Sequence, residues 1–295
     1  MIEPRRPFGP RDANDGWVSG SRGRFWGKGG AAGLLAHDPA RGVLLQHRVA
    51  WSDQGGTWGI PGGARHVGES AIGGAIREAT EEAGVPPQAL RTRYTHCFDV
   101  GYWSYTTVVA EVSTPFEAHI ADPESEELRW VRPGDVESLP LHPAFAAAWP
   151  LLRERLAERP ALVIDAANVV GSRPDGWWKD RAGATERLIE RLGALDGAGL
   201  PGRWFGLDEL WRVWPETTVV VEGHAKQVST ADLTVHVARA AADGDREIVA
   251  QVAALSSDGW TPICVVTSDR ELRERVRRHG AAVVGAAELL AVLDG

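Results

Sequence analysis

The chain has 295 residues, 43% of them hydrophobic and 24% charged, with a formal net charge of −8. That length is generous for one core and comfortable for two. Residues 1–159 hold 17 basic and 20 acidic side chains and residues 160–295 hold 15 and 20, so neither half has the positive field that draws in duplex nucleic acid, and a polyanionic substrate must be met by local arginines or bound metal. The two cysteines, Cys97 and Cys264, sit among apolar residues of different halves and are expected as buried thiols, which fits a reducing cytoplasm. The first residues lack the apolar run of a signal peptide, and no stretch is long enough to span a membrane. A cytoplasmic protein with no membrane partner is the expectation.

Residues 1–22 are rich in Gly, Pro, Asp, Asn and Arg without periodicity and read as a mobile tail. Two apolar runs, Ala31–Ala36 and Val43–Gln46, flank Asp38-Pro-Ala-Arg-Gly42, the pattern of a hairpin. Thr57–Ile60 is a short strand that delivers Pro61-Gly62-Gly63. A helix is expected from Ser70 to Ala83, closed by Gly84 in the left-handed region and barred from continuing by Pro86-Pro87. Strands follow at Arg91–Val100, Trp103–Val112 and Leu128–Val131, and a helix at 143–158 despite Pro150.

Between the glycines and that helix runs Gly63-Ala-Arg-His-Val-Gly-Glu69, then Arg77-Glu78-Ala-Thr-Glu81-Glu82-Ala-Gly84-Val85. On a helix, Glu78, Glu81 and Glu82 fall within an arc of about 100°. Three carboxylates that close repel one another unless a cation lies between them, and Mg²⁺ or Mn²⁺ is the hard-ion choice for oxygen ligands. Gly62 and Gly63 are expected to turn the backbone tightly, and Arg77 can pair with Glu69 to hold loop against helix. Glu82 is expected to be partly exposed, with metal as its only partner.

This run resembles the signature of the Nudix hydrolases at every fixed position, Gx5Ex7REUxEExGU, and so many identities are improbable at ordinary residue frequencies. The resemblance implies an α/β/α sandwich over residues 23–158. It also implies hydrolysis of a nucleoside diphosphate-linked substrate with Mg²⁺ or Mn²⁺. Carried over, Glu78, Glu81 and Glu82 hold metal, while Arg77 and Glu69 orient them. The base comes from the motif or from a later loop carrying Glu124, Glu126 and Glu127. Arg48, Gly62, Gly63, Trp58 and Tyr102 are substrate-binding candidates: Arg48 for phosphate, Trp58 for stacking a base as Trp51 or Trp103 could, and Tyr102 because it lies 17 residues past Val85, where dinucleoside polyphosphate hydrolases carry a tyrosine. The array of the NADH-hydrolysing subgroup is lacking, and Leu44-Leu-Gln-His-Arg48 shares only part of the coenzyme A subgroup's pattern. A nucleoside triphosphate and a dinucleotide both stay open as substrates.

After Arg159-Pro160 short apolar strands alternate with helices, as in a parallel sheet. Strands are expected at Ala161–Ile164, Thr217–Val221, Leu233–Val237, Pro262–Thr267 and Ala281–Val284. Helices are expected at Ala182–Leu195, Asp245–Leu255, Glu271–His279 and Ala286–Leu293. In such sheets the site lies beyond the carboxyl ends of the strands, where Asp165, Glu222 and Asp269 stand, with Asp245 opening a helix. Together they can cage Mg²⁺ or Mn²⁺ for phosphodiester cleavage. Helix capping is the competing role for Asp245 and Asp269; for Asp165, inside a continuing apolar run, it is the less convincing one.

Val163-Ile-Asp165-Ala-Ala-Asn168 with Val265-Val-Thr-Ser-Asp269 resembles the PIN-like nucleases of the NYN group. That resemblance implies a PIN-like, Rossmannoid parallel-sheet α/β domain over residues 160–295, with Asn168 at the site and Asp243 and Asp232 competing with Asp245. It implies cleavage or binding of single-stranded RNA, for which Trp177-Trp178 with Lys179 and Arg181 is a candidate contact loop. Three arrangements follow. The first half hydrolyses a free nucleotide while the second cuts or binds RNA; both halves process RNA; or the second half is a non-catalytic nucleotide or RNA sensor. Oligomeric state is not legible.

Overall fold

The computed structural model describes residues 12–173, 177–228 and 235–295. The chain forms two compact units, Met1–Ala157 and Glu158–Gly295.

The first unit opens with an antiparallel hairpin, β1 (Trp17–Gly20) and β2 (Gly23–Trp26). The expected tail over residues 1–22 therefore needs correcting: residues 1–11 lie outside the described residues, while 17–20 are strand. Aromatic contacts hold the pair, Trp17 packing edge-on to Trp26 with ring centroids 5.4 Å apart and Arg24 lying 4.4 Å over Trp17. A two-residue turn with Gly23 at positive φ hides so short a hairpin inside a composition that reads as disordered.

β3 (Ala31–Asp38) then pairs antiparallel with β4 (Gly42–Arg48) at its far end and with β6 (Gly62–Ala64) at its start. β5 (Trp58–Gly59) adds to β4. After helix α1 (Ala71–Ala83), β7 (Leu90–Asp99) and β8 (Ser104–Val112) form a hairpin, and β8 runs parallel to β3. β9 (Ser125–Val131) pairs with β4, and α2 (Pro143–Arg155) continues through Pro150.

Alternation along β3 decides where α1 lies. Ala32, Leu34 and Ala36 point to one face with Leu44, Val108 and Ala110, and against them α1 lays Ala75, Ala79 and Ala83. Three alanines at i, i+4 and i+8 bring the helix axis close to the sheet. The opposite side of α1 carries Arg77 and Glu81. α2 buries Phe145, Trp149 and Leu152. Mixed sheet and helices give the α/β architecture expected of a Nudix domain.

The second unit is built on a five-stranded parallel sheet. Its strands are β10 (Ala161–Asp165), β13 (Glu216–Val221), β14 (His236–Arg239), β15 (Ile263–Val266) and β16 (Ala282–Val284). The order is β14-β13-β10-β15-β16, every neighbour parallel. A short hairpin, β11 (Leu200–Pro201) with β12 (Trp211–Val213), precedes β13. The helices are α3 (Ala166–Gly171), α4 (Arg181–Gly193), α5 (Gly244–Ser257), α6 (Arg270–Arg277) and α7 (Ala286–Asp294). Val163, Val220, Ile248, Val252, Val265, Leu272 and Val276 form its core, which is why each inner strand reads as an unbroken apolar run.

Two elements here are absent from the sequence reading. α3 begins directly after Asp165, inside the apolar run that follows the strand expected at Ala161–Ile164. Residues 200–213 carry the β11–β12 hairpin and bury Trp204, Phe205 and Trp211, but strands this short leave no periodicity to detect. The strand expected at Leu233–Val237 lies at His236–Arg239, and residues 229–234, with Asp232, fall outside the described residues. So do residues 174–176 of the Trp177-Trp178 loop; Trp178 is exposed.

Candidate active sites

Ser70 opens α1, its Oγ accepting the Gly73 N–H at 3.0 Å. Gly84 closes it at φ 63°, with its own N–H on Thr80 O and that of Val85 on Ala79 O, a left-handed cap that a Cβ would strain. Between these ends Arg77 stitches the preceding loop to the helix. Its Nε donates to Glu69 Oε1 at 2.9 Å and its Nη2 to Glu69 Oε2 at 3.0 Å and to Ala64 O at 2.9 Å. Nη1 donates to Glu78 Oε1 at 3.0 Å and lies 3.6 Å from Glu81 Oε1. The fork geometry of a guanidinium is what allows so many acceptors at once. Burial works against the charge of Arg77, but Glu69 and Glu78 outweigh it and raise the pKa. Burial likewise opposes ionisation of Glu69, yet Arg77 and the His66 N–H hold its carboxyl below the usual range.

Glu78 and Glu82 face inward and are 7% and 3% exposed. Glu82 corrects the expectation of partial exposure and a lone metal partner: its Oε2 accepts the Gly62 N–H at 3.0 Å. Burial, then the charges of Glu78 and Glu124, push its pKa well above the carboxylate range, against an opposing pull from Arg48. The glycines are not in a tight turn either. Both lie in β6, and close approach is what requires them. A Cβ on Gly63 would come within 2.6 Å of the Glu78 carboxyl, and one on Gly62 within 2.6 Å of Ala32 O.

Of the later acidic loop, Glu124 is the member whose charge reaches Glu82, and its carbonyl accepts the Val49 N–H at 3.2 Å. Glu126 pairs with His47 at 3.2 Å and Glu127 with Arg129 at 2.6 Å. Arg48 donates its Nε to Asp53 O at 3.0 Å, and its charge bears on Glu82, Tyr105 and His142.

Two substrate candidates fall away. Trp58 is 5% exposed, stacked by His47 at 4.9 Å with Arg129 4.8 Å from its ring, so the indole is enclosed by its neighbours and presents little surface to a base. Tyr102 donates its hydroxyl to Gly23 O at 2.9 Å and accepts the Arg22 N–H, which ties it to the β1–β2 hairpin. Trp103 is stacked on Phe25 at 4.3 Å, whereas Trp51 is exposed. Tyr105, beside Glu82 and Gly62, escaped the sequence reading. Its only signal was alternation along β8, shared by every strand residue.

In the second unit β10 lies at the point where the chain leaves toward β13 on one side and later β15 on the other, the crevice position of open parallel sheets. Asp165 ends β10 and caps α3, its Oδ1 accepting the Asn168 N–H at 3.0 Å and its Oδ2 the Thr267 hydroxyl at 2.9 Å. This corrects the view that capping was the weaker role there. Asn168 accepts the Ser268 N–H at 2.8 Å, and Asp269 caps α6 through the Leu272 N–H at 2.8 Å. Asp243, not Asp245, caps α5, taking the Arg246 N–H at 2.8 Å. Asp245 therefore lies one place inside the helix, 3.6 Å from Arg275, and Glu222 accepts the Gly244 N–H at 2.7 Å. Burial, then Asp245 and Glu222, raise the pKa of Asp165, against the Asn168 and Thr267 hydrogen bonds. Burial, then Asp269, Asp243 and Glu222, raise that of Asp245, with Arg275 opposing. All four acids thus share one neighbourhood. Cys264 is buried, its thiol pushed up to about 12, while Cys97 is half-buried rather than enclosed; both are free.

Among the described residues no three His, Cys, Asp or Glu side chains are gathered closely enough to hold a metal ion. The chemistry of the donors nevertheless fits a hard divalent cation. Neighbouring carboxylates help raise the pKa of Glu82 in the first unit and of Asp165 and Asp245 in the second, the condition a 2+ ion relieves. No described helix is long and apolar enough to cross a membrane.

The NUDIX domain family matches residues 27–154, and the YacP-like NYN domain family matches residues 218–295. A Mycobacterium tuberculosis protein named "Putative 8-oxo-dGTP diphosphatase 3" is 46% identical over 166 residues, covering 52% of this chain and 76% of that protein. A Bifidobacterium longum "Nucleoside triphosphate pyrophosphatase/Nudix hydrolase fusion protein" is 44% identical over 153 residues, 49% of this chain and 32% of that one. Among solved structures, RenU, a Nudix hydrolase from M. smegmatis, shares 48% identity with a TM-score of 0.44, covering 48% of this chain and 95% of its own.

Proposed function

Because the chain belongs to the Nudix hydrolase family and carries an NYN domain after it, we propose that its first unit cleaves a nucleoside triphosphate, with water, to the monophosphate and pyrophosphate. The named relative makes 8-oxo-dGTP the first candidate substrate. One observation carries this reading: Arg77 binds Glu69, Glu78 and Glu81 in a single lattice while Glu82 stays buried at the Gly62 amide. A carboxylate set held this rigidly is preorganised for a charge-rich reaction. Glu78 and Glu82, with Glu124 facing Glu82 and Glu81 at the rim, would hold Mg²⁺ or Mn²⁺. The ion supplies neutralisation of phosphate charge and a more acidic water. Arg77 and Glu69 fix the angle of Glu78, and Arg48 offers a guanidinium to the phosphates. Assaying the whole chain on 8-oxo-dGTP, dGTP and a dinucleoside polyphosphate, with Mg²⁺ or Mn²⁺, tests it. No pyrophosphate from any triphosphate would sink the assignment; monophosphate and pyrophosphate from 8-oxo-dGTP ahead of dGTP support it.

A second reading concerns the second unit, where burial and neighbouring carboxylates, Glu222 among them for both, raise the pKa values of Asp165 and Asp245. We propose that this unit cuts single-stranded RNA with a divalent cation among Asp165, Glu222, Asp245 and Asp269, Asn168 bracing the crevice. Asp165→Asn with Asp269→Asn retains both caps and removes two charges. Metal-dependent cleavage of a labelled oligonucleotide should disappear in that variant. Cleavage unchanged, or RNA bound without ever being cut by the parent chain, rejects nuclease activity in favour of a sensor.

A further inference from the structure

Tyr105 lies in β8, opposite Ala31 of β3 and Phe98 of β7. Gly33 and Gly62 face each other across the β3–β6 pair, and the phenol reaches over both. A Cβ on Gly33 would collide with Tyr105 Oη, and one on Gly62 would stand 3.1 Å from it. Two side chains are thus missing where this hydroxyl sits. Gly62 is the residue whose amide holds Glu82, and the charges of Glu82, Glu78 and Arg48 are all felt at the phenol. Burial, then the two glutamates, raise its pKa, with Arg48 opposing, so the oxygen keeps its proton.

Apart from Arg48, whose Nε alone is bonded, to Asp53 O, the cationic donors nearby are committed. Arg77 spends its fork on Glu69, Glu78 and Ala64 O, and Arg65 gives Nε and Nη2 to Gly29 O. Glu78, Glu82 and Glu124, when ionised, can only accept. Tyr105 Oη makes no hydrogen bond to any described residue and is not among the enclosed polar atoms without a partner, so its hydrogen is open to an acceptor that enters the cleft.

The geometry points to Tyr105 as a substrate contact outside the motif: its Oη donates a hydrogen bond to a non-bridging oxygen of the diphosphate lying over Gly62. The inference rests on the first unit being a nucleotide hydrolase. It adds a donor that reads phosphate and not base.

Tyr105→Phe in the full chain removes the hydroxyl and keeps the ring. With Mg²⁺, kcat/KM should fall about tenfold to a hundredfold, the range for one hydrogen bond to a charged group, and by the same factor for 8-oxo-dGTP and dGTP. Inorganic pyrophosphate, titrated calorimetrically with Mg²⁺, should bind about tenfold more weakly, and the melting temperature should stay within about 2 °C. Activity within twofold of the parent, a loss that differs between the two bases, or unchanged pyrophosphate binding overturns the proposal. Should the variant melt lower, pyrophosphate affinity measured well below the transition decides between the same outcomes. A parent chain that turns over neither nucleotide defeats the hydrolase reading instead. Pyrophosphate titration then still tests the phenol by itself.

Discussion

The two acidic centres of this molecule meet the problem of crowded carboxylates in opposite ways. In the first unit Arg77 stands inside the cluster and pairs with Glu69, Glu78 and Glu81, leaving Glu82 buried on a backbone amide with its pKa raised. In the second the only arginine paired with a member of the set, among the described residues, is Arg275 on Asp245. There Asp165 and Asp269 point at helix amides that the fold needs capped. An acid held by a side-chain lattice can be removed for its chemistry alone, whereas an acid that also caps a helix confounds chemistry with folding.

The largest test of that difference is Glu82→Gln. Hydrolysis should fall on the order of 10²–10³-fold, the scale of losing one preorganised electrostatic group, while the metal-free protein melts higher. Calorimetry alongside the pyrophosphate assay reads both. Next comes Arg77→Ala, which strands Glu69 and Glu78 in a partly buried site and should cost about 3 kcal/mol in urea unfolding; Arg77→Lys, lacking the fork, should recover only part of it.

The pH dependence follows from the same charges. Glu82, Asp165 and Asp245 have folded-state pKa values raised above their ordinary ones. The folded state then binds protons more readily than the unfolded chain, so stability is fullest below the ordinary carboxylate range and declines as pH rises through the raised values. The share of stability these three groups carry in the metal-free protein, read from its melting, should therefore fall as pH rises above about 4. Mg²⁺ should flatten the slope, and Glu82→Gln should remove the first unit's share.

A smaller effect separates the caps. Asp165→Ala should cost about 1 kcal/mol and Asp165→Asn much less, since asparagine still caps. Asp245→Asn should change stability least, within about 0.5 kcal/mol, because Asp243 caps α5 in its place. If Asp245→Asn proved as costly as Asp165→Ala, the contrast between the two centres would fail.

How far these centres could be read from sequence differs for a physical reason. The helix from Ser70 to Gly84 announces itself through a cap, a left-handed glycine and charges at fixed angles, all within fifteen residues, so the Arg77–Glu69 pair was foreseeable. The burial of Glu82 was not, because it depends on where β6 passes in space. Asp165 misled because strand and helix meet there without a break in apolar character. Asp243 and Asp245 are two residues apart, and only the backbone turn decides which one caps. Trp58 and Tyr102 show the limit for aromatics: composition offers a ring, and neighbours decide whether any face or hydroxyl remains open.

The bond from the Gly62 amide to Glu82 Oε2 has a last implication. A carboxyl group presents an acceptor oxygen to that N–H whether or not it carries a proton, so the strand and helix it joins need not shift register when the site gains or loses charge. Ionisation can change beneath a fixed frame, which lets the pocket answer to acidity and cations without remaking its shape.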